Sequence, residues 1–146
     1  MKLTVTSWSF PACTLSEAWG VATAIGFTAM DVGLLHGAAL DRGAILADPE
    51  AAADDLSAKG IKASNLYWLF GASPFERPLT DLRALPKNAA DFEKVAAFAK
   101  AIGAPTIFVL PGVATPGESQ KSLIAASAEC FSALMPIAEA HGVTLT

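Results

Sequence analysis

The sequence predicts an α/β fold built on a parallel sheet, and three observations carry that prediction. Helical segments and strand-like runs alternate along the chain, each helical segment stops at a glycine that leads straight into a strand, and the connections are short at one end of each unit and long at the other. The glycines at 26, 60, 103 and 142 recur at intervals of 34 to 43 residues, the length of one strand, one helix and their turns. Right-handed crossovers between such units make neighbouring strands parallel.

The first strand is placed at residues 3–8, where Leu3 and Val5 alternate with Thr4 and Thr6. A helix follows, with Thr14 as N-cap, Glu17 completing a capping box, and an apolar stripe of Leu15, Ala18, Trp19, Ala22 and Ile25. The second strand, residues 29–35, sets Met30, Val32 and Leu34 against Ala29, Asp31 and Gly33. The next helix opens at Asp48-Pro49-Glu50, a capping acid before a proline in the first turn, and ends at Lys59-Gly60. A third strand at 62–68 leads to a helix that starts near Asn88, carries Phe92, Val95, Ala96, Ala99 and Ile102 on one face, and stops at Gly103. The fourth strand is 105–110. The last helix begins near Glu118, carries Leu123, Ala126, Cys130, Leu134 and Ile137, and ends at His141-Gly142. Pro136 is expected to kink or split it. Residues 143–146 open a fifth strand.

Composition narrows the function classes. The 146 residues are 53% hydrophobic and 16% charged, with a mean hydropathy of +0.44, too apolar for a disordered chain. Thirty residues are alanine, so part of that figure is helix filler rather than bulky core. Ten basic and 14 acidic residues give a net charge of −4 and no basic stripe, so neither nucleic acid nor an anionic membrane is an expected partner. The longest run free of charge, residues 101–117, holds Pro105, Pro111 and Pro116, which no spanning helix would carry. The first ten residues have the look of a signal peptide, but their alternation of Thr and Ser with apolar residues suits a strand. Cys13 and Cys130 have no motif spacing and are expected to be free thiols of a cytoplasmic protein.

The long connections, residues 36–47, 69–87 and 111–117, all follow strands, and ligands of α/β proteins bind at that carboxyl end. Two architectures fit the pattern: an open flavodoxin-like sheet, or part of a (β/α)8 barrel. The phosphate-binding signatures of open sheets, G-x-G-x-x-G and G-x-x-x-x-G-K-[ST], are missing. The parity of the first two strands, one face apolar and the other small or polar, favours the barrel, because helices cover both faces of an open sheet. The third and fourth strands are ambiguous by this test.

Several segments resemble the xylose-isomerase-like sugar phosphate isomerase/epimerase barrels. They are the start Lys2-Leu3-Thr4-Val5-Thr6-Ser7-Trp8-Ser9-Phe10, the run from Gly26-Phe27 through Met30-Asp31-Val32-Gly33-Leu34-Leu35-His36-Gly37, the exit Val109-Leu110-Pro111-Gly112-Val113 with Pro116-Gly117-Glu118-Ser119, and the closing Ala140-His141-Gly142-Val143-Thr144-Leu145. The resemblance implies an N-terminal half of a TIM barrel: four (β/α) units plus the opening of strand 5. It also implies a divalent metal ion in the full-length protein, held by carboxylates and a histidine on strands 5 to 8, so that no metal ligand and no bound ion is expected within this chain. Asp31 stands where the family usually has Glu.

The candidate substrate-binding residues are Trp8, Asp31, His36, Tyr67, Trp68 and Gly112. Asp31 faces the barrel interior, as a substrate contact or as a structural acid satisfied by a neighbouring strand such as Asn65. His36 follows the second strand and serves either substrate or loop backbone. His141, at a helix end on the opposite side, complements the helix dipole. Trp8, Tyr67 and Trp68 either wall a sugar pocket or cap the core. The loop at Gly112 offers amides beside a helix start, although turn chemistry explains the same glycine and Glu118 would repel an anion. The expected function is metal-dependent isomerisation or epimerisation of a small sugar or ketose by a full barrel, with this chain inactive alone. An endonuclease-like hydrolase on the same barrel, a non-catalytic half-barrel that self-associates through its open edges, and a complete flavodoxin-like binding domain are the competing readings.

Overall fold

The structure is a computed structural model that describes residues 3–114 and 116–146; Met1, Lys2 and Thr115 lie outside the described residues. Five strands and five α-helices follow one another: β1 (Val5–Thr6), α1 (Leu15–Ile25), β2 (Met30–Gly33), α2 (Arg42–Ala47), α3 (Pro49–Ala58), β3 (Ala63–Trp68), α4 (Leu85–Ala101), β4 (Thr106–Val109), α5 (Gln120–His141) and β5 (Thr144–Leu145). The strands pair in the order β1-β2-β3-β4-β5, every pair parallel.

That order separates the two architectures. Each crossover steps one strand further in the same sense, so right-handed connections place all the helices on one face. A flavodoxin-like sheet reverses its order at a switch point, which this sheet never does. The fold is a partial (β/α) barrel. Its core lies between sheet and helices: Met30, Val32, Leu66, Trp68, Ile107, Val109 and Leu145 from the strands pack with Ala18, Ala22, Phe92, Val95, Phe98, Cys130 and Leu134 from the helices. The parity read from the first two strands therefore holds, and β3 and β4 obey the same rule.

Local chemistry explains the helix boundaries. The Thr14 side chain accepts from the Glu17 backbone N–H at 3.3 Å, and the Glu17 carboxylate accepts from the Thr14 N–H at 2.8 Å, the capping box expected from sequence. Gly26 (φ 108°) and Gly142 (φ 70°) close α1 and α5 in the left-handed conformation. The two cysteines are free.

Four details differ from expectation. The first strand is shorter, because the chain turns into a 3-10 helix at Ser7–Ser9. The 36–47 connection contains α2, capped by Asp41, whose carboxylate accepts from the Ala44 N–H at 3.0 Å. With six residues and only Ile45 buried, α2 is too short to show a period. Helix α4 starts at Leu85, extending a 3-10 turn at Leu82–Ala84, rather than near Asn88. Helix α5 runs unbroken through Pro136, since Pro136 and Ser132 both lie on its exposed side, where the carbonyl deprived of its partner is solvated. By length and composition α5, with a mean hydropathy of 1.4, is also long and apolar enough to cross a membrane; 22% of that stretch is buried here. In this fold its inner stripe of Ser127, Cys130, Leu134 and Ala138 lies in the helix–sheet core.

Candidate functional site

The face of the sheet away from the helices carries two rows of side chains. The lower row is polar and follows the register: Thr6 pairs with Asp31, Asp31 with Asn65, and Thr106 with Thr144. Two residues further along each strand, toward the carboxyl ends, lies a row of Trp8, Gly33, Tyr67, Phe108 and Thr146; Gly33 pairs with Tyr67, and Tyr67 with Phe108. Thr6, Asp31 and Asn65 of the lower row and all of the upper row border one cavity of ≈390 Å³.

The polar row finds its partners within itself and on flanking residues. Buried polar groups are costly unless hydrogen-bonded, and here neighbouring strands supply the partners. Thr106 Oγ1 donates to Asn65 Oδ1 at 2.7 Å, and Ser64 Oγ donates to Asp31 Oδ1 at 2.6 Å, with Thr4 Oγ1 at 3.4 Å. Ser64 reaches Asp31 through a register shift: Met30 pairs with Ala63 and Asp31 with Asn65, so Ser64 is the extra residue of a bulge. Asp31 thus meets the neighbouring strand through Ser64, while Asn65 is engaged by Thr106.

The upper row is an aromatic wall. The rings of Trp8 and Tyr67 lie 4.8 Å apart at 58°, and those of Tyr67 and Phe108 lie 5.5 Å apart at 24°. Trp8 comes from the 3-10 turn that follows β1 and Tyr67 from β3, so their contact bridges β2. Gly33 makes the bridge possible: a Cβ there would stand 2.8 Å from Tyr67 Cβ and 2.9 Å from the Tyr67 carbonyl oxygen.

Burial raises the Tyr67 hydroxyl pKa above its ordinary value near 10. A raised folded pKa contributes stability that is complete below the unfolded value and is lost as pH climbs through the folded one. Tyr67 is the sole tyrosine, so its ionisation can be followed directly by near-ultraviolet absorbance. The expected midpoint lies above about 10, with the wild type losing stability between the ordinary value and that midpoint and with that slope absent from Tyr67→Phe. A midpoint at or below the ordinary value contradicts the buried placement.

The sequence-predicted residues divide. Trp8, Asp31 and Tyr67 border the cavity together. Trp68, one residue past Tyr67, points the other way: it is 0% exposed in the helix–sheet core, with the Arg42 guanidinium 5.4 Å from its ring centroid. Its indole N–H has no hydrogen-bond partner among the described residues. His36 is exposed just beyond Leu35, in left-handed backbone (φ 61°). Gly112 (φ 132°) borders a different groove, between the β4–α5 connection and α5, with Thr80 Cγ2 2.5 Å from where a Cβ would stand. His141 Nε2 is 2.8 Å from Glu93 on α4.

Phe108, Gly33 and Ser64 were not singled out by sequence. Phe108 shares an apolar run with Ile107 and Val109, which hides its face until Thr106 is seen to share it. Nothing local announces a bulge at Ser64. Among the described residues, no three of His, Cys, Asp and Glu gather in a way that could hold a metal ion. Asp31, the carboxylate of the inner rows, is taken up by Ser64 and Thr4.

No protein-family profile and no curated protein matches the chain. Solved structures do match it. A D-tagatose 3-epimerase-like protein superposes with a TM-score of 0.70 at 14% identity, covering 99% of this chain and 51% of that one. D-Allulose 3-epimerase from Methylomonas sp. gives 0.69 at 17% identity, covering 99% and 50%. A xylose isomerase domain protein from Planctomyces limnophilus gives 0.58 at 17% identity, covering 99% and 51%. The chain spans about half the length of the structures it matches, and at these identities the likeness is one of fold. That fold is a partial (β/α) TIM barrel, about half of the barrels it matches.

Proposed function

We propose that this chain forms the N-terminal half of the substrate pocket of an isomerase or epimerase acting on a small sugar or ketose. One observation carries the reading: an aromatic wall of Trp8, Tyr67 and Phe108 stands at the carboxyl ends of parallel strands, above a polar row that includes Asp31, held by Ser64, and Asn65, held by Thr106. Carboxyl ends are where (β/α) barrels bind ligands, and aromatic faces pack against the C–H faces of sugars. L-Ribulose 3-epimerase and D-allulose 3-epimerase are among the structures that share this fold.

In this division of labour the wall orients the carbon skeleton and excludes water, and the Asp31–Ser64 and Asn65–Thr106 pairs hold β2, β3 and β4 in register beneath it. No cluster among the described residues fits a divalent ion, and Asp31 is held by Ser64 and Thr4, so in this reading metal binding falls to residues outside this chain.

The test uses a whole barrel containing this segment. Trp8→Ala is expected to lower kcat/KM toward its ketose by about tenfold or more, mainly through KM, from the loss of one aromatic face. An unchanged kcat/KM overturns the role of the wall. The 146-residue chain alone is expected to give no turnover; measurable epimerisation by it overturns the division of labour.

A further inference from the structure

We infer that the Tyr67 hydroxyl hydrogen-bonds one hydroxyl of the ligand in the cavity, and so selects for a sugar that carries that hydroxyl. The inference rests on the proposed function and adds to it the residue of the wall that discriminates between sugars.

Tyr67 is held in place by its neighbours. Its ring leans over Gly33, with Cδ1 3.1 Å from where a Cβ would stand there, and it contacts the rings of both Trp8 and Phe108. These contacts leave the residue 6% exposed, yet it still borders the cavity. A tyrosine has only two side-chain torsions, so a ring confined in this way carries its hydroxyl to one place. A polar group fixed beforehand loses little entropy when a ligand meets it.

The hydroxyl stands apart from the polar row beneath it. There Asn65 Oδ1 accepts from Thr106, and Asp31 Oδ1 accepts from Ser64. On the Tyr67 hydroxyl, burial is the cause of the raised pKa, with neither a hydrogen bond nor a neighbouring charge contributing. The adjacent residues of β3, Leu66 and Trp68, belong to the helix–sheet core, and its register partners, Gly33 and Phe108, have no polar side-chain atom. A hydroxyl so far removed from water is costly to leave unbonded, and phenylalanine would build the same wall without that cost. A sugar hydroxyl is the matching group, because it both donates and accepts, as the phenol does.

The test uses a whole barrel containing this segment, the ketose it turns over, and mono-deoxy analogues of that ketose altered away from the reacting carbon. Wild type is expected to show a kcat/KM about 3- to 10-fold lower on one analogue than on the parent. Tyr67→Phe keeps the ring, so the circular dichroism should be unchanged; it is expected to lose the same factor on the parent, mainly through KM, and nothing further on that analogue. A Tyr67→Phe barrel as efficient as wild type on the parent overturns the contact. So does an equal loss on the parent and on every analogue, which assigns the hydroxyl a partner within the protein. Impaired Trp8→Ala beside an unimpaired Tyr67→Phe removes the hydroxyl contact and leaves the wall standing. A barrel that turns over no ketose overturns the proposed function, and this contact with it.

Discussion

Trp68→Ala is expected to destabilise the fold by about 3–5 kcal/mol, the cost of emptying an indole-sized space in a packed core. Domains of this size are held by only about 5–15 kcal/mol, so the variant should sit close to unfolding at ambient temperature. The reason is placement. Trp68 is 0% exposed on the helix side of β3, paired in register with Val109 and in one core cluster with Phe70 and Phe92, although its neighbour Tyr67 faces the cavity. Its indole N–H is buried without a partner, so Trp68→Phe gives up no hydrogen bond and should stay within about 1.5 kcal/mol of wild type. Denaturant unfolding of the two variants checks the pair. A stable Trp68→Ala with altered ligand binding would return Trp68 to the pocket.

Gly33→Ala should have the second-largest effect and should touch both fold and site. Its Cβ would meet the backbone and Cβ of Tyr67 below 3.0 Å, contacts that no rotamer relieves, so β2 must withdraw from β3. Overpacking of this kind costs about 1–3 kcal/mol, and separating Trp8 from Tyr67 forfeits a further ~0.5–1.5 kcal/mol of aromatic contact. The expected result is a lower unfolding midpoint together with a Tyr67 ionisation moved back toward its ordinary value. Gly20→Ala is the matched control: nothing lies within 4 Å of its Cβ, and alanine in a helix interior is favoured over glycine by up to about 1 kcal/mol. A Gly33→Ala protein as stable as Gly20→Ala would mean that β2 and β3 approach less closely than the geometry requires.

Much of the fold was legible because its signals are local. Thr14 with Glu17, Asp48 before Pro49, and the glycines at 26 and 142 act within one helical turn of where they stand, and each sits at a helix end in the structure. Helix α2 escaped because six residues show no period, and Pro136 misled because its effect depends on whether the freed carbonyl faces water. The site was legible only in part. Alternation marked Asp31 as inward-facing, but which group meets its carboxylate depends on a bulge that shifts the register between β2 and β3. Trp8 and Tyr67 were visible as aromatic residues near strand ends, whereas Phe108 was concealed in an apolar run.

The sequence by itself determined the repeat of strand and helix, the caps, and the end of the sheet from which the long connections leave. These follow from spacings of two, three or four residues and from the conformational limits of glycine and proline. Only the tertiary structure decided that the strands run in sequential order, that Trp68 belongs to the core while Tyr67 belongs to the cavity, and that Gly33 is the gap through which Trp8 reaches Tyr67. The physical reason is register: a shift of one residue between neighbouring strands sends a side chain to the opposite face, and contacts between distant strands set it.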